Sequence, residues 1–185
     1  MVAATPEEAL GKLVQELFTT SYLRVYRNTD LLGVELAGAL KNVIAVAAGI
    51  LDGLGVGNNA KAALLTRGLV EISRLGVALG AQAETFAGLA GLGDLVTTCV
   101  SPEGRNRTFG ERVGRSEKVS DILQSMPGVV EGVATCQSVM ELATRLGVDM
   151  PISQGLYQVL FADKCPMAGI AELMAREPKH EGLDG

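Results

Sequence analysis

The chain has 185 residues, 48% of them hydrophobic and 4% aromatic, and a formal net charge of −5. This length and apolar content exclude a disordered chain and allow one or two domains with a full core. The acidic balance excludes a general nucleic-acid binder, and three widely spaced cysteines, Cys99, Cys136 and Cys165, with no CxxC, exclude a disulfide framework and point to a reduced, cytoplasmic protein.

Thr5-Pro6-Glu7-Glu8 predicts a helix start, with Thr5 as N-cap, Pro6 at the first helical position and Glu8 closing a capping box. Leu10, Leu13, Val14 and Leu17 then form an apolar stripe at helical spacing. Residues 22–26, Tyr-Leu-Arg-Val-Tyr, predict one short strand, for which the sequence offers no evident partner. Residues 1–30 therefore read as the tail of an α/β unit whose beginning is missing. On this reading the strand is unpaired or paired with a second copy, and the apolar stripe is covered by self-association.

Asn28-Thr29-Asp30 supplies a turn and cap before a long apolar helix over residues 31–54. Lys41 stands inside it among small neighbours, with Ala37, Gly38 and Ala45 on its face. A lysine in a buried helix is costly unless it is paired or used. It therefore either serves acid/base work beside a carboxylate or snorkels to the surface. Lys41, Asn42 and Asp52 interrupt the apolar runs before the ~18 residues of a membrane span, so no span is expected. Glu7 and Glu8 leave no apolar signal core. Asp52 lies about three turns past Lys41, on roughly the same face. The cluster Gly53-Leu54-Gly55-Val56-Gly57 follows a helix, not a strand, and reads as a helix stop rather than a dinucleotide fingerprint.

Asn58 or Asn59 caps the next predicted helix, over 60–79, and a short helical piece follows at 84–90. Gly93-Asp94 reads as a turn and helix start, with Thr97 and Thr98 on the face of Asp94. Gly104-Arg105-Asn106-Arg107 opens a helix to about residue 113. Its free N–H groups and arginine forks suit an anion such as phosphate, although a solvated basic face fits the same letters. Further helices are expected at 119–126, 134–146, 152–161 and 166–174. Glu131 sits in the loop before 134, either as an acceptor for a hydroxyl or as a helix-start acid. Residues 177–185 read as a tail, and the single histidine, His180, is given no role there. No spacing suits a metal site.

Four stretches taken together, Gly38-Ala39-Leu40-Lys41-Asn42-Val43, residues 92–99 (Leu-Gly-Asp-Leu-Val-Thr-Thr-Cys), Gly104-Arg105-Asn106-Arg107 and Val129-Val130-Glu131-Gly132, carry a specific likeness. The sequence resembles the C-terminal, substrate-binding domain of bacterial NAD(P)-dependent glycerol-3-phosphate dehydrogenase, from Tyr22 to about Met174. The resemblance implies a mainly α fold, a multi-helix domain like the C-terminal domain of 6-phosphogluconate dehydrogenase. It spans residues 31–176 and follows a helix-strand remnant of a dinucleotide-binding domain at 1–30. It implies hydride transfer between NAD or NADP and dihydroxyacetone phosphate, giving sn-glycerol 3-phosphate for glycerophospholipid synthesis, in a cytoplasmic homodimer. By motif, Lys41 and Asp94 become the catalytic pair. Lys41, Asn42, Asp94, Gly104, Arg105 and Asn106 contact substrate, and Arg105, Val129 and Glu131 contact the cofactor.

The likeness has two gaps. Gly104 stands where many family members carry serine, so a hydroxyl donor is lost and only a backbone N–H remains. No GxGxxG occurs in the 185 residues, so most of the cofactor would be held by a domain not in this sequence, and these residues alone are expected to be inactive. The competing readings are a non-catalytic helical dimerisation module and the helical domain of another two-domain hydroxy-acid dehydrogenase.

Overall fold

A computed structural model describes residues 1–178; His180 and the rest of the expected tail from residue 179 lie outside the described residues. The chain runs β1 (Val2–Ala4), α1 (Glu8–Phe18), β2 (Tyr26–Asn28), α2 (Leu31–Leu54), α3 (Asn58–Ala78) and α4 (Ala83–Ala87). A π-helical turn (Leu89–Gly93) leads into α5 (Asp94–Val100). Beyond it come α6 (Arg105–Gly114), α7 (Val119–Ser125), α8 (Glu131–Leu146), α9 (Pro151–Phe161) and α10 (Pro166–Met174). This is the mainly helical architecture expected, with a small sheet at its start.

That sheet corrects the sequence reading. The strand lies at Tyr26–Asn28 rather than at residues 22–26, and it is paired within the chain: β1 and β2 run parallel, with Val2 opposite Tyr26 and Ala4 opposite Asn28. Thr5 N–H donates to the Asn28 carbonyl at 3.0 Å and extends the ladder. Residues 1–30 thus form a β-α-β unit with α1 as the crossover. Val-Ala-Ala carries little β signal, so a three-residue strand with two alanines was invisible as a partner.

Helix α1 also starts later than the capping box predicts. Thr5 Oγ1 accepts from Glu7 N–H at 3.1 Å in a turn, and Glu7 holds the cap position without a side-chain bond. Gly11 is the buried residue of α1, set against Thr5 and Arg27, and Gln15 Nε2 donates to the Val25 carbonyl at 2.7 Å. The stripe Leu10, Leu13 and Leu17 faces outward, together with Phe18.

Helix α2 is the axis of the molecule. Asp30 caps it, its carboxylate accepting from Gly33 N–H at 2.9 Å, Gln82 N–H at 2.9 Å and Thr85 Oγ1 at 2.7 Å. Burial works to raise the Asp30 pKa, but these three donors outweigh it and hold the carboxyl below its ordinary value. Val43 to Ile50 are buried without interruption, and Gly55, at φ 68°, ends the helix in the left-handed region as the glycine cluster predicts. By length and composition α2 is apolar enough to cross a membrane, which the run-length reading missed because single polar residues interrupt the letters without lowering the average. In this fold the other helices cover it.

Helices α2 and α6 cross backbone to backbone. A Cβ on Gly49 would stand 2.0 Å from the Arg107 carbonyl oxygen, and one on Gly53 would stand 2.2 Å from that of Glu111. From the other side, a Cβ on Gly110 would stand 2.0 Å from the Val46 oxygen and one on Gly114 would stand 2.4 Å from that of Ile50. Glycine is the one residue that lets two helices approach this closely. The registers 49 with 107 and 53 with 111 show that the two helices run in the same direction.

Helix α9 begins with Pro151 and has no side-chain cap of its own. Glu71, deep in α3 and 3% exposed, supplies one from outside, accepting from Ile152 N–H at 2.6 Å, Ser153 N–H at 3.2 Å and Ser153 Oγ at 3.1 Å. Burial pushes its carboxyl up to about 7 against the pull of those hydrogen bonds. Asn58 and Asn59 turn out to lie inside α3, with Gly57 at the cap position.

Candidate functional site

Lys41 projects from α2 two residues before the fully buried stretch. Its amine donates directly to Asp94 Oδ2 on α5. The lysine side chain is 17% exposed and the aspartate 43%, so the pair stands at the edge of the core rather than inside it as expected. Asp94 is not a helix cap. The π-helical turn runs straight into α5, and Gly93 is itself helical. Such a turn widens the helix by one residue and re-aims the side chains beyond it. Thr98, one turn on, donates to the Asp94 carbonyl at 2.7 Å and brings its hydroxyl to 3.5 Å from Asp94 Oδ1.

The second group of candidates sits at the N-terminus of α6, where first-turn N–H groups have no intrahelical acceptors. Arg105 is half-exposed, and its guanidinium lies 3.2 Å from Glu131 Oε1. Asn106 is buried, and its Oδ1 accepts from Gly132 N–H at 2.9 Å. One point joins the two groups: a Cβ on Gly132 would stand 2.6 Å from the Asn42 carbonyl oxygen and 2.9 Å from Asn106 Oδ1. The chain neighbours of Lys41 and of Arg105 therefore meet at the start of α8. Gly104 closes the ring from below, since its Cβ position would stand 3.3 Å from the Thr98 carbonyl oxygen. The site is an arc of amine, carboxylate, hydroxyl, guanidinium and helix N-terminus on four helices.

The residues match the family described as NAD-dependent glycerol-3-phosphate dehydrogenase C-terminus over positions 30–171. The chain belongs to that family. A glycerol-3-phosphate dehydrogenase [NAD(P)+] of Citrifermentans bemidjiense is 55% identical over 183 residues, covering 99% of this chain and 55% of that protein. The crystal structure of glycerol-3-phosphate dehydrogenase from Coxiella burnetii superposes with a TM-score of 0.88 at 39% identity, over 95% of this chain and 54% of that one. The Saccharomyces cerevisiae enzyme gives a TM-score of 0.80 at 31% identity, covering 89% of this chain and 48% of that one. The chain spans about half the length of the curated relatives it matches.

Within this domain the structure changes what two candidates can do. The Gly104 N–H, expected to remain for an anion, donates instead to the Ser101 carbonyl at 3.3 Å, so the donors left are those further into α6. Asn106 spends its oxygen on the start of α8. Glu131 is the first residue of α8, which begins three residues earlier than the sequence reading, and Val129 beside it is 70% exposed. An open apolar residue flanked by a carboxylate and a guanidinium fits a ligand with a flat ring and hydroxyls, such as one end of a dinucleotide. Asp52, about three turns past Lys41, is engaged by other cations. It pairs with Lys61 and Arg107, neither of which the sequence reading singled out for this role. Burial pushes the Cys99 and Cys136 thiols up to about 12, so neither is a nucleophile.

Proposed function

We propose that this chain is the substrate-binding half of an NAD(P)-dependent glycerol-3-phosphate dehydrogenase, interconverting dihydroxyacetone phosphate and sn-glycerol 3-phosphate for glycerophospholipid synthesis. The observation that carries the reading is the Lys41–Asp94 pair, set on the same arc as the Arg105 end of α6. The substrate phosphate sits at that helix start, against the free N–H groups and the Arg105 fork. The C2 oxygen then points at the Lys41 amine. Negative charge grows on that oxygen as the ketone is reduced; the ammonium stabilises it and delivers the proton. Asp94 holds the amine in place, and the two-ended grip removes much of the orientational entropy from the barrier. Nicotinamide supplies the hydride when bound. Arg105, Val129 and Glu131 would hold its near end, while the pyrophosphate needs a glycine-rich loop that this sequence lacks.

The three unpaired cysteines fit a reducing, cytoplasmic setting. The homodimer rests on the exposed stripe of α1 and is measured by mass in solution at rising concentration. A second reading, a hydroxy-acid dehydrogenase acting on a carboxylate substrate, is disfavoured by the paired start of α6. Calorimetric titration separates the readings. Glycerol 3-phosphate binds saturably and weakly, Arg105→Ala loses it by about 2–5 kcal/mol, and lactate gives no heat. A dimerisation module binds none of these, and that result would overturn the proposal.

A further inference from the structure

An ion-pair cluster away from the proposed chemistry ties three of the central helices together. Asp52, in the last turn of α2, receives Lys61 Nζ from the first turn of α3 at 2.9 and 2.7 Å on its two oxygens. Its Oδ2 also lies 2.7 Å from Arg107 Nε in the first turn of α6. Asp52, Lys61 and Arg107 are 21%, 14% and 16% exposed, so water screens them little. Arg107 Nε is shut off from solvent and makes no aligned hydrogen bond, so its hold on Asp52 is a charge contact. Arg107 adds Glu111 Oε2 at 3.4 Å, one turn along α6.

The glycine crossing explains why such a cluster is needed. Gly49, Gly53, Gly110 and Gly114 set how near α2 and α6 come, but they offer no side-chain knob to stop one helix sliding along the other. The charge contact from Asp52 to Arg107 is a polar latch on that smooth seam. Arg107 adjoins Asn106 and stands two residues from Arg105. The buried Cys99 thiol feels the charges of Lys61, Asp52 and Lys41 together.

We infer that Asp52 is a positioning residue: through Arg107 it fixes the register of α6 along α2, and so the span between Arg105 and Lys41. The inference rests on the reading of Arg105 as phosphate holder and Lys41 as proton donor, and Asp52 itself touches neither ligand.

The test uses the 185-residue chain as wild type, Asp52→Asn and Asp52→Glu, at a temperature where all are folded. Amide hydrogen exchange over residues 105–110 is measured first, without ligand. Affinities for glycerol 3-phosphate and for inorganic phosphate are measured next. Asp52→Asn raises exchange about tenfold in the first turns of α6 and leaves residues 43–50 of α2 unchanged. It weakens glycerol 3-phosphate, which must bridge both ends, by about tenfold, and inorganic phosphate much less. Asp52→Glu recovers most of the loss. If Asp52→Asn does not fold, Arg107→Lys, which keeps the charge and shortens the reach, shows the same selective loss. Equal losses for both ligands with exchange raised everywhere, or no change in either measurement, overturn the inference. If wild type binds neither ligand, the functional reading fails. The exchange pattern then decides the latch alone: an increase confined to α6 sustains it, and none overturns it.

Discussion

Lys41 and Asp94 are joined amine to carboxylate across 53 residues of sequence, at the edge of the core rather than inside it. That position lets a ligand oxygen reach the ammonium without the full desolvation cost of a buried charge. Replacing the corresponding half of the Citrifermentans bemidjiense relative with these residues gives a chimera in which the pair can be tested. Lys41→Ala lowers its turnover roughly 10²–10⁴-fold, with a smaller effect on the KM for dihydroxyacetone phosphate. Unchanged kcat would remove the proton-donor role.

The 185 residues alone should not oxidise NADH or NADPH with dihydroxyacetone phosphate, because the two-stranded β-α-β unit carries no glycine-rich loop to hold a pyrophosphate. Absorbance of the reduced cofactor stays flat with the chain and falls with the chimera. Clear turnover by the chain alone would contradict the proposed division of labour between the two halves of the enzyme.

Two glycines should respond to alanine with opposite signs. Gly110→Ala puts a methyl 2.0 Å from the Val46 oxygen, so backbone must move, at a cost of about 3 kcal/mol or more. Gly155, inside α9, has open space around its Cβ position, and Gly155→Ala should stabilise by about 0.5–1 kcal/mol. Urea unfolding midpoints check both. A tolerated alanine at position 110 would mean the helix crossing is looser than described.

Glu71 makes stability depend on pH in an unusual direction. Its carboxyl is pushed up to about 7 from an ordinary 4.5 by burial. A raised acid contributes stability that is fully present below the unfolded value and is lost as pH rises through the folded one. The wild type should therefore lose about 1–3 kcal/mol relative to Glu71→Gln between pH 5 and pH 8. Thermal unfolding of both proteins at the two pH values measures it. Wild type gaining stability relative to Glu71→Gln as pH rises would show instead that the ionised carboxylate is the better cap for α9.

Much of the fold was legible because its signals are local. Asp30 before an apolar run, Gly55 after it and Arg105 following a glycine each announce a boundary, and α2 and the start of α6 fall where those residues say. Lys41 and Asp94 could be marked separately from small neighbours and a glycine-led acid, but their contact is tertiary and no spacing encodes it. Strand β1 was hidden because three weak residues become a strand only when β2 pairs with them. The partners of Asp52 were hidden for a different reason. Helical periodicity puts it on roughly the face of Lys41, but says nothing of the two cations, Lys61 and Arg107, that other helices bring to it. The partners of Glu71 lie some 80 positions away, beyond any pattern a linear reading can see.

The glycine seam between α2 and α6 has a consequence for how this site can drift in evolution. Where two backbones touch, their separation is set by atomic radii, and no choice of core side chain can widen or narrow it by small steps. With the register held by the Asp52 latch, the gap between the two helices is a fixed gauge. Core substitutions cannot retune it for a longer or shorter substrate; a new specificity has to come from exchanging the residues that bear the charge, or from abandoning the seam.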